Sequence, residues 1–152
     1  MAIPRNTPYS AFNFLVELES GQGREVNAGF SEISGLNAEV TVAEYRAGNS
    51  MVNYVNKFPG IHKAGDVTLK RGVIGEQNLY DWLELCRTGK IHEAKRNIVI
   101  TLQSEDRDTA VVTWKLMSAM PIKWTGPTLT AKGGGDVAIE ELVLSVEMVT
   151  QG

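Results

Sequence analysis

A mainly β domain, built as an antiparallel β-barrel or sandwich with one peripheral α-helix, is expected for this chain on three grounds. Apolar and polar residues alternate with a period of two in segment after segment. Turn-forming stretches such as Ser20-Gly21-Gln22-Gly23 and Glu105-Asp106-Arg107-Asp108 separate those segments. Only one segment carries the 3,4-spacing of an amphipathic helix.

Residues 1–8, with Pro4, Asn6, Thr7 and Pro8, read as an extended arm. Phe12, Phe14, Val16 and Leu18 alternate with Asn13, Leu15, Glu17 and Glu19, which predicts a half-buried first strand. A second strand is expected over Glu25 to Ser31, before a break at Ser34-Gly35. Val40 and Val42 mark a third strand that ends near Arg46, and Val67 and Leu69 a fourth over Asp66 to Gly72. Leu79, Trp82, Leu83 and Cys86 then fall at i, i+3, i+4 and i+7, predicting a helix from about Glu76 to Thr88 with Gly89 as its stop. Ile98, Ile100 and Leu102 form the next strand, and Val112, Trp114 and Leu116 return from the acidic turn. Residues 125–135, with Gly126-Pro127 and three consecutive glycines, read as a loop.

The last strand is expected to run from Asp136 to about Val149. Val137 and Ile139 set one parity, whereas Leu142, Leu144, Val146 and Met148 set the other. A β-bulge at Glu140-Glu141 would return all of them to one face. At ~3.3 Å per residue such a strand spans about 46 Å, against an expected radius of gyration of about 15 Å, so it must bend or run the height of the domain.

The chain has 152 residues, 43% apolar and 22% charged, which fits one globular domain over 1–152 and excludes a mainly disordered chain. No apolar run approaches the ~20 residues of a spanning helix, and MAIPRNTPYS lacks the apolar core of a secretion signal. Synthesis in the cytoplasm without membrane insertion is therefore expected. One cysteine and two histidines make a poor metal set, so neither metal nor cofactor is expected. A net charge of -3 and a pI near 5.4 argue against a general nucleic-acid binder.

Catalysis finds little support. His62 follows Pro59-Gly60-Ile61 in an expected loop, His92 lies beyond the helix, and Cys86 sits on the apolar helix face. Glu140 and Glu141 are adjacent, so on a regular strand they point apart. Lys132-Gly133-Gly134-Gly135 precedes a strand, not a helix, so it does not match a phosphate loop. Trp82 and Trp114 fall in core phase. The informative stretch is 46–63, with Arg46, Lys57 and Lys63, no acidic residue, and apolar Met51, Val52, Tyr54, Val55, Phe58 and Ile61. A surface hairpin accounts for it; so does a contact between subunits, since exposed apolar ribbons are liabilities unless covered. The last seventeen residues carry Asp136, Glu140, Glu141 and Glu147 without a basic residue. A basic loop and an acidic strand on one domain suit a head-to-tail contact that yields rings or filaments.

The order YSAFNFLVEL (9–18), FSEISGL (30–36), EYRAGN (44–49), FPG (58–60), VTLKRG (67–72), LYDWL (79–83), VTWKLMSAMPIKWTGP (112–127) and VAIEELVLSVE (137–147) resembles the tail tube protein family of contractile phages. Within that family the pattern is similar to inner-tube subunits of phage-tail-like contractile injection systems. The resemblance implies a β-barrel-like subunit that stacks as hexameric rings into a hollow tube inside a contractile sheath. Type VI secretion tubes share the fold class. The implied partners are further copies of the chain, sheath subunits, baseplate and terminator proteins, with effector cargo or DNA in the lumen. It also implies that 46–63 contacts neighbouring subunits, and that Trp82 with Leu83 anchors the helix to the barrel. Two other classes stay open: a monomeric β-barrel around a small apolar ligand, and a hydrolase using Glu140 or Glu141.

Overall fold

The computed structural model describes residues 7–20, 23–26, 30–73, 78–133 and 137–152. Strand β1 (Phe14–Ser20) buries Val16 and Leu18, but Phe12 lies before it in a turn and is 70% exposed, so the first strand starts later than its alternation predicts. The expected strand over 25–31 is two strands, β2 (Gly23–Val26) and β3 (Phe30–Ser34), and residues 27–29 lie outside the described residues. β2 pairs with β1, whereas β3 pairs with β6 (Val67–Gly72), so the chain changes sheets between them. Most of the expected N-terminal arm, residues 1–6, also lies outside the described residues.

Two sheets share one strand. β7 (Arg96–Gln103) lies between β1 and the first half of β8 (Ala110–Thr125), and β10 (Met148–Gln151) flanks β8 on its other edge. The second half of β8 pairs with β9 (Ile139–Ser145), which continues to β6 and β3. The path ends at β2 and β3 without closing, so of the two expected architectures the open, two-sheet one is formed. Its core lies between the sheets: Val16, Leu18, Ile98, Ile100 and Leu116 face Val67, Leu69, Leu142 and Leu144. The space a barrel ligand would need is filled by these side chains. Burying each large apolar one is worth about 1.5–3 kcal/mol.

β8 crosses between the sheets at Ser118. Leu116 pairs with Ile98 and Ala119 with Arg96, leaving Met117 and Ser118 opposite the single residue Asn97. Ser118 adopts φ 52°, and its N–H donates to the Asn97 Oδ1 at 3.1 Å. An extra residue on one strand bends it and sharpens its twist, which redirects the second half of β8 into the other sheet.

The long final strand is interrupted, and not where its parity suggests. β9 and β10 run along β8 one after the other and part at Val146-Glu147. Through Glu140-Glu141 the pairing with β6 is unbroken, from Gly72↔Ile139 to Val67↔Leu144, so no bulge occurs there. Glu140, Leu142, Leu144 and Val146 share the buried face, and Val137 and Ile139 stay exposed at 73% and 46%.

Helix α1 (Asn78–Arg87) stands where the spacing predicts it; the expected start at 76–77 lies outside the described residues. Gly89 has φ +83°, its N–H donates to the Cys86 carbonyl at 3.3 Å, and Lys90 N–H donates to that of Leu85 at 3.0 Å. This left-handed termination satisfies two carbonyls of the last turn, as a glycine stop should. A one-turn helix, α2 (Ile91–Ala94), follows and contains His92, which the sequence reading places outside any helix.

Candidate assembly surface

Between β3 and β6 the chain leaves the body as a two-stranded ribbon, β4 (Glu39–Tyr45) with β5 (Asn56–Lys63), which joins neither main sheet. β5 replaces the loop expected over its residues, so His62 lies on a strand. The root of the ribbon is pinned twice. Gly35 has φ +87°, and a Cβ there would come within 2.2 Å of the Asp66 carbonyl oxygen, so only glycine fits. Gly65 N–H donates to Asn37 Oδ1 at 2.6 Å, tying the outgoing strand to the returning one. Across the ladder Glu39 stands opposite Lys63 and Glu44 opposite Lys57. At the tip the Arg46 guanidinium donates to the carbonyls of Val52 at 3.1 Å and Ser50 at 3.3 Å. Arg46, expected to contact a neighbour, thus shapes the tip from within its own chain.

Every residue of β4 and β5 is exposed. Alternation puts Val40 and Val42, with Pro59 across from Val42, on one face, and Ala43 and Tyr45, with Phe58 across from Ala43, on the other. Both faces therefore carry exposed apolar side chains beside a Glu–Lys cross-strand pair, and neither is covered. At the tip Met51 is wholly exposed, and Val52, Tyr54 and Val55 are also open to solvent. Lys57 projects from the β5 side. The root lies beside the start of β10, where Ala38, Val40, His62 and Met148 help line a cavity of about 350 Å³.

The acidic half of the expected contact is not assembled as the sequence suggests. Glu140 turns inward: its Oε1 accepts from Arg71 Nε at 2.6 Å and its Oε2 from Trp124 Nε1 at 3.3 Å. Arg71 is fully buried, and its guanidinium lies 5.9 Å from the Phe30 ring centre. Glu140 therefore neutralises a core cation and offers no surface to a neighbour. Glu141 points to the opposite face, half-buried, with Lys70 and Thr125 as its cross-strand partners. Glu147 forms a surface ion pair with Lys95 at 3.1 Å.

On the helix, Leu79 and Trp82 are 1% exposed, whereas Leu83 and Cys86 are only half-buried. Leu85, missed by the heptad-like spacing, packs on the core instead of Leu83. Trp82 Nε1 donates to the Ala94 carbonyl at 2.5 Å, and the Arg96 guanidinium lies 5.1 Å from its ring centre. Tyr80 meets the Trp124 ring edge-on at 5.4 Å. Among the described residues no three His, Cys, Asp or Glu side chains gather as metal ligands would.

A second surface groove, lined by polar and apolar residues alike, escaped the sequence reading. Leu129, Gly133, Val137 and Ile139 help line a groove of about 410 Å³ where the loop after β8 meets the start of β9. Leu129 is 81% exposed. Val73, also exposed, donates its N–H to the Ala138 carbonyl at 2.9 Å beside it. The run of exposed Val137 and Ile139 was a signal for this surface, absorbed at the sequence level into the bulge.

Comparison with known proteins agrees on one relationship. Residues 10–150 match the family described as T4-like virus tail tube protein gp19. Among solved structures, the chain is similar to one in the anti-feeding prophage tube-terminating cap, at 27% identity and TM-score 0.82, covering 100% of this chain and 95% of that one. It is also similar to a chain in the PVC sheath–tube complex of an extracellular contractile injection system in the extended state. There the identity is 26% and the TM-score 0.80, covering 97% of this chain and 93% of that one. Hcp1 from Flavobacterium johnsoniae shares the fold alone, at 13% identity and TM-score 0.51, covering 91% of this chain and 94% of that one. No curated protein matches.

Proposed function

The chain belongs to the T4-like virus tail tube protein gp19 family, and from that premise we propose that its copies stack as hexameric rings into the inner tube of a contractile injection system or contractile phage tail. Its role is structural. The tube encloses a lumen for cargo or DNA, and contraction of a surrounding sheath drives it through a target envelope. Sheath subunits, a terminator and a baseplate are its partners, as the sheath–tube complex, the terminating cap and the anti-feeding prophage baseplate among its structural relatives suggest. The subunit is made in the cytoplasm, catalyses nothing, and transmits force that the sheath supplies.

The observation that carries this reading is the ribbon over Glu39 to Lys63, whose own chain leaves apolar side chains open on both faces. A monomer would keep that surface in water; a polymer of identical subunits covers it. Residues Met51, Val52, Tyr54, Val55, Lys57 and Phe58 are the contact residues in this reading, with Arg46 holding their shape.

Negative-stain microscopy of the purified protein at high concentration should show rings of six and tubes built from them. Deleting Asn49 to Asn56 should abolish the tubes while circular dichroism still reports a folded β protein. Monomer at every concentration, or normal tubes from the deletion variant, would sink the proposal.

A further inference from the structure

One row of side chains crosses the buried face of the second sheet, from its edge strand to the helix. Phe30 on β3 stands opposite Arg71 on β6, and Arg71 opposite Glu140 on β9. The Arg71 guanidinium lies 5.9 Å from the Phe30 ring centre, and its Nε donates to Glu140 Oε1 at 2.6 Å. The other carboxylate oxygen accepts from Trp124 Nε1 on β8 at 3.3 Å. The Trp124 ring in turn meets Tyr80 of α1 edge-on at 5.4 Å. Phe30, Arg71 and Glu140 are buried, Trp124 is half-buried, and Tyr80 is 38% exposed. The row therefore starts under the outermost strand and comes out at the surface.

Each link fixes the next. Trp124 is held by Tyr80 and by the loop after β8, which comes so near that a Cβ on Gly126 would lie 3.2 Å from the indole ring. Without Tyr80 the indole is free to tilt, and its N–H leaves the carboxylate. A buried carboxylate stripped of one donor turns to recover it, which takes Oε1 off the line of Arg71 Nε. The guanidinium then loses the orientation that sets it against the Phe30 ring. A close-packed interior leaves little room for a partial shift, so the links hold or give way together.

β3 is the strand with most to lose. It ends the path of paired strands, and its ladder to β6 is broken by a register shift between Phe30 and Glu32. Of its five residues only Phe30 is buried, with Ile33 half-buried. We propose that the row is a latch, through which the docking of α1 at Tyr80 keeps β3 seated in the sheet. Tyr80 is the accessible end, so a contact that displaces it loosens the strand at the other end of the β8-β9-β6-β3 run. Because β3 leads through Gly35 into β4, a change at the helix reaches the strand from which the ribbon departs. The latch is a property of the single subunit and holds whether or not copies assemble.

Amide hydrogen exchange on the dilute, unassembled chain tests it. Tyr80→Ala should speed exchange across Phe30–Ser34 by roughly fivefold or more beyond any change across Arg96–Gln103, which reports the stability of the body. Tyr80→Phe, which keeps the ring, should leave the two stretches in their parent ratio. Trp124→Phe, which keeps a ring but removes the indole donor, should give the same excess as Tyr80→Ala. In a Phe30→Leu chain, and in one carrying Arg71→Met with Glu140→Leu, Tyr80→Ala should give no excess, because the row is already cut. An excess that persists in either background would overturn the latch, since the effect then reaches β3 by another route. Equal acceleration of both stretches by Tyr80→Ala would overturn it too, as the mark of a contact that only adds to overall stability.

Discussion

Glu140 occupies a core position because Arg71 stands directly opposite it on β6. Removing two charges from water costs several kcal/mol per ion, and the close Nε–Oε1 contact with the Trp124 donor offsets much of it. The pair is thus a weak source of net stability but a costly thing to break. Glu140→Ala, which strips the counter-charge from a guanidinium the protein buries completely, should cost about 3–5 kcal/mol in chemical denaturation. That is a large part of the ~5–15 kcal/mol typical of a domain. The double change Arg71→Met with Glu140→Leu should recover most of the loss, since an apolar pair of similar volume removes both desolvation costs. A single variant as stable as the parent would show that solvent reaches the pair. The placement of Glu140 was partly legible: it shares parity with Leu142, Leu144 and Val146, whereas Glu141 does not. What no local pattern could supply was the distant arginine, 69 positions earlier in the chain.

At the scale of elements, strands with one wet and one dry face announced themselves, because alternation records that asymmetry. β6 is the clearest, with Val67 and Leu69 buried between half-buried Thr68 and Lys70. β5 did not, since both its faces are exposed and Pro59-Gly60 interrupts it, so no face imposes a period. The parity break at Glu140-Glu141 was real in the sequence but marked something else: Val137 and Ile139 belong to an outer surface groove. The bend in β8 was silent, because Ser118 takes a left-handed conformation without glycine to signal it. A β-branched side chain is a steric outlier there. Ser118→Val should therefore lose roughly 1–3 kcal/mol, while Ser118→Gly should hold or gain stability. Equal denaturation midpoints for the two variants would mean that the backbone relaxes out of that conformation at no cost.

For the molecule as a whole, the shared strand governs how the body comes apart. Residues 110–119 of β8 are laddered to β7, and residues 120–125 to β9, along one unbroken stretch of backbone. Releasing either ladder lets the other half of β8 swing, and the core between the sheets then opens on both sides at once. Neither sheet is an independent unit of melting. Amide hydrogen exchange should accordingly report one opening free energy for Arg96–Gln103 and Ile139–Ser145, close to that of global unfolding. Amides of the ribbon, bonded only to one another and open to solvent, should exchange through far cheaper openings. Two separate exchange classes within the body would deny that coupling. The subunit is thus a single cooperative block carrying one appendage fixed at its root and laddered only to itself, so the ribbon's ladder can open and re-form without loosening the core.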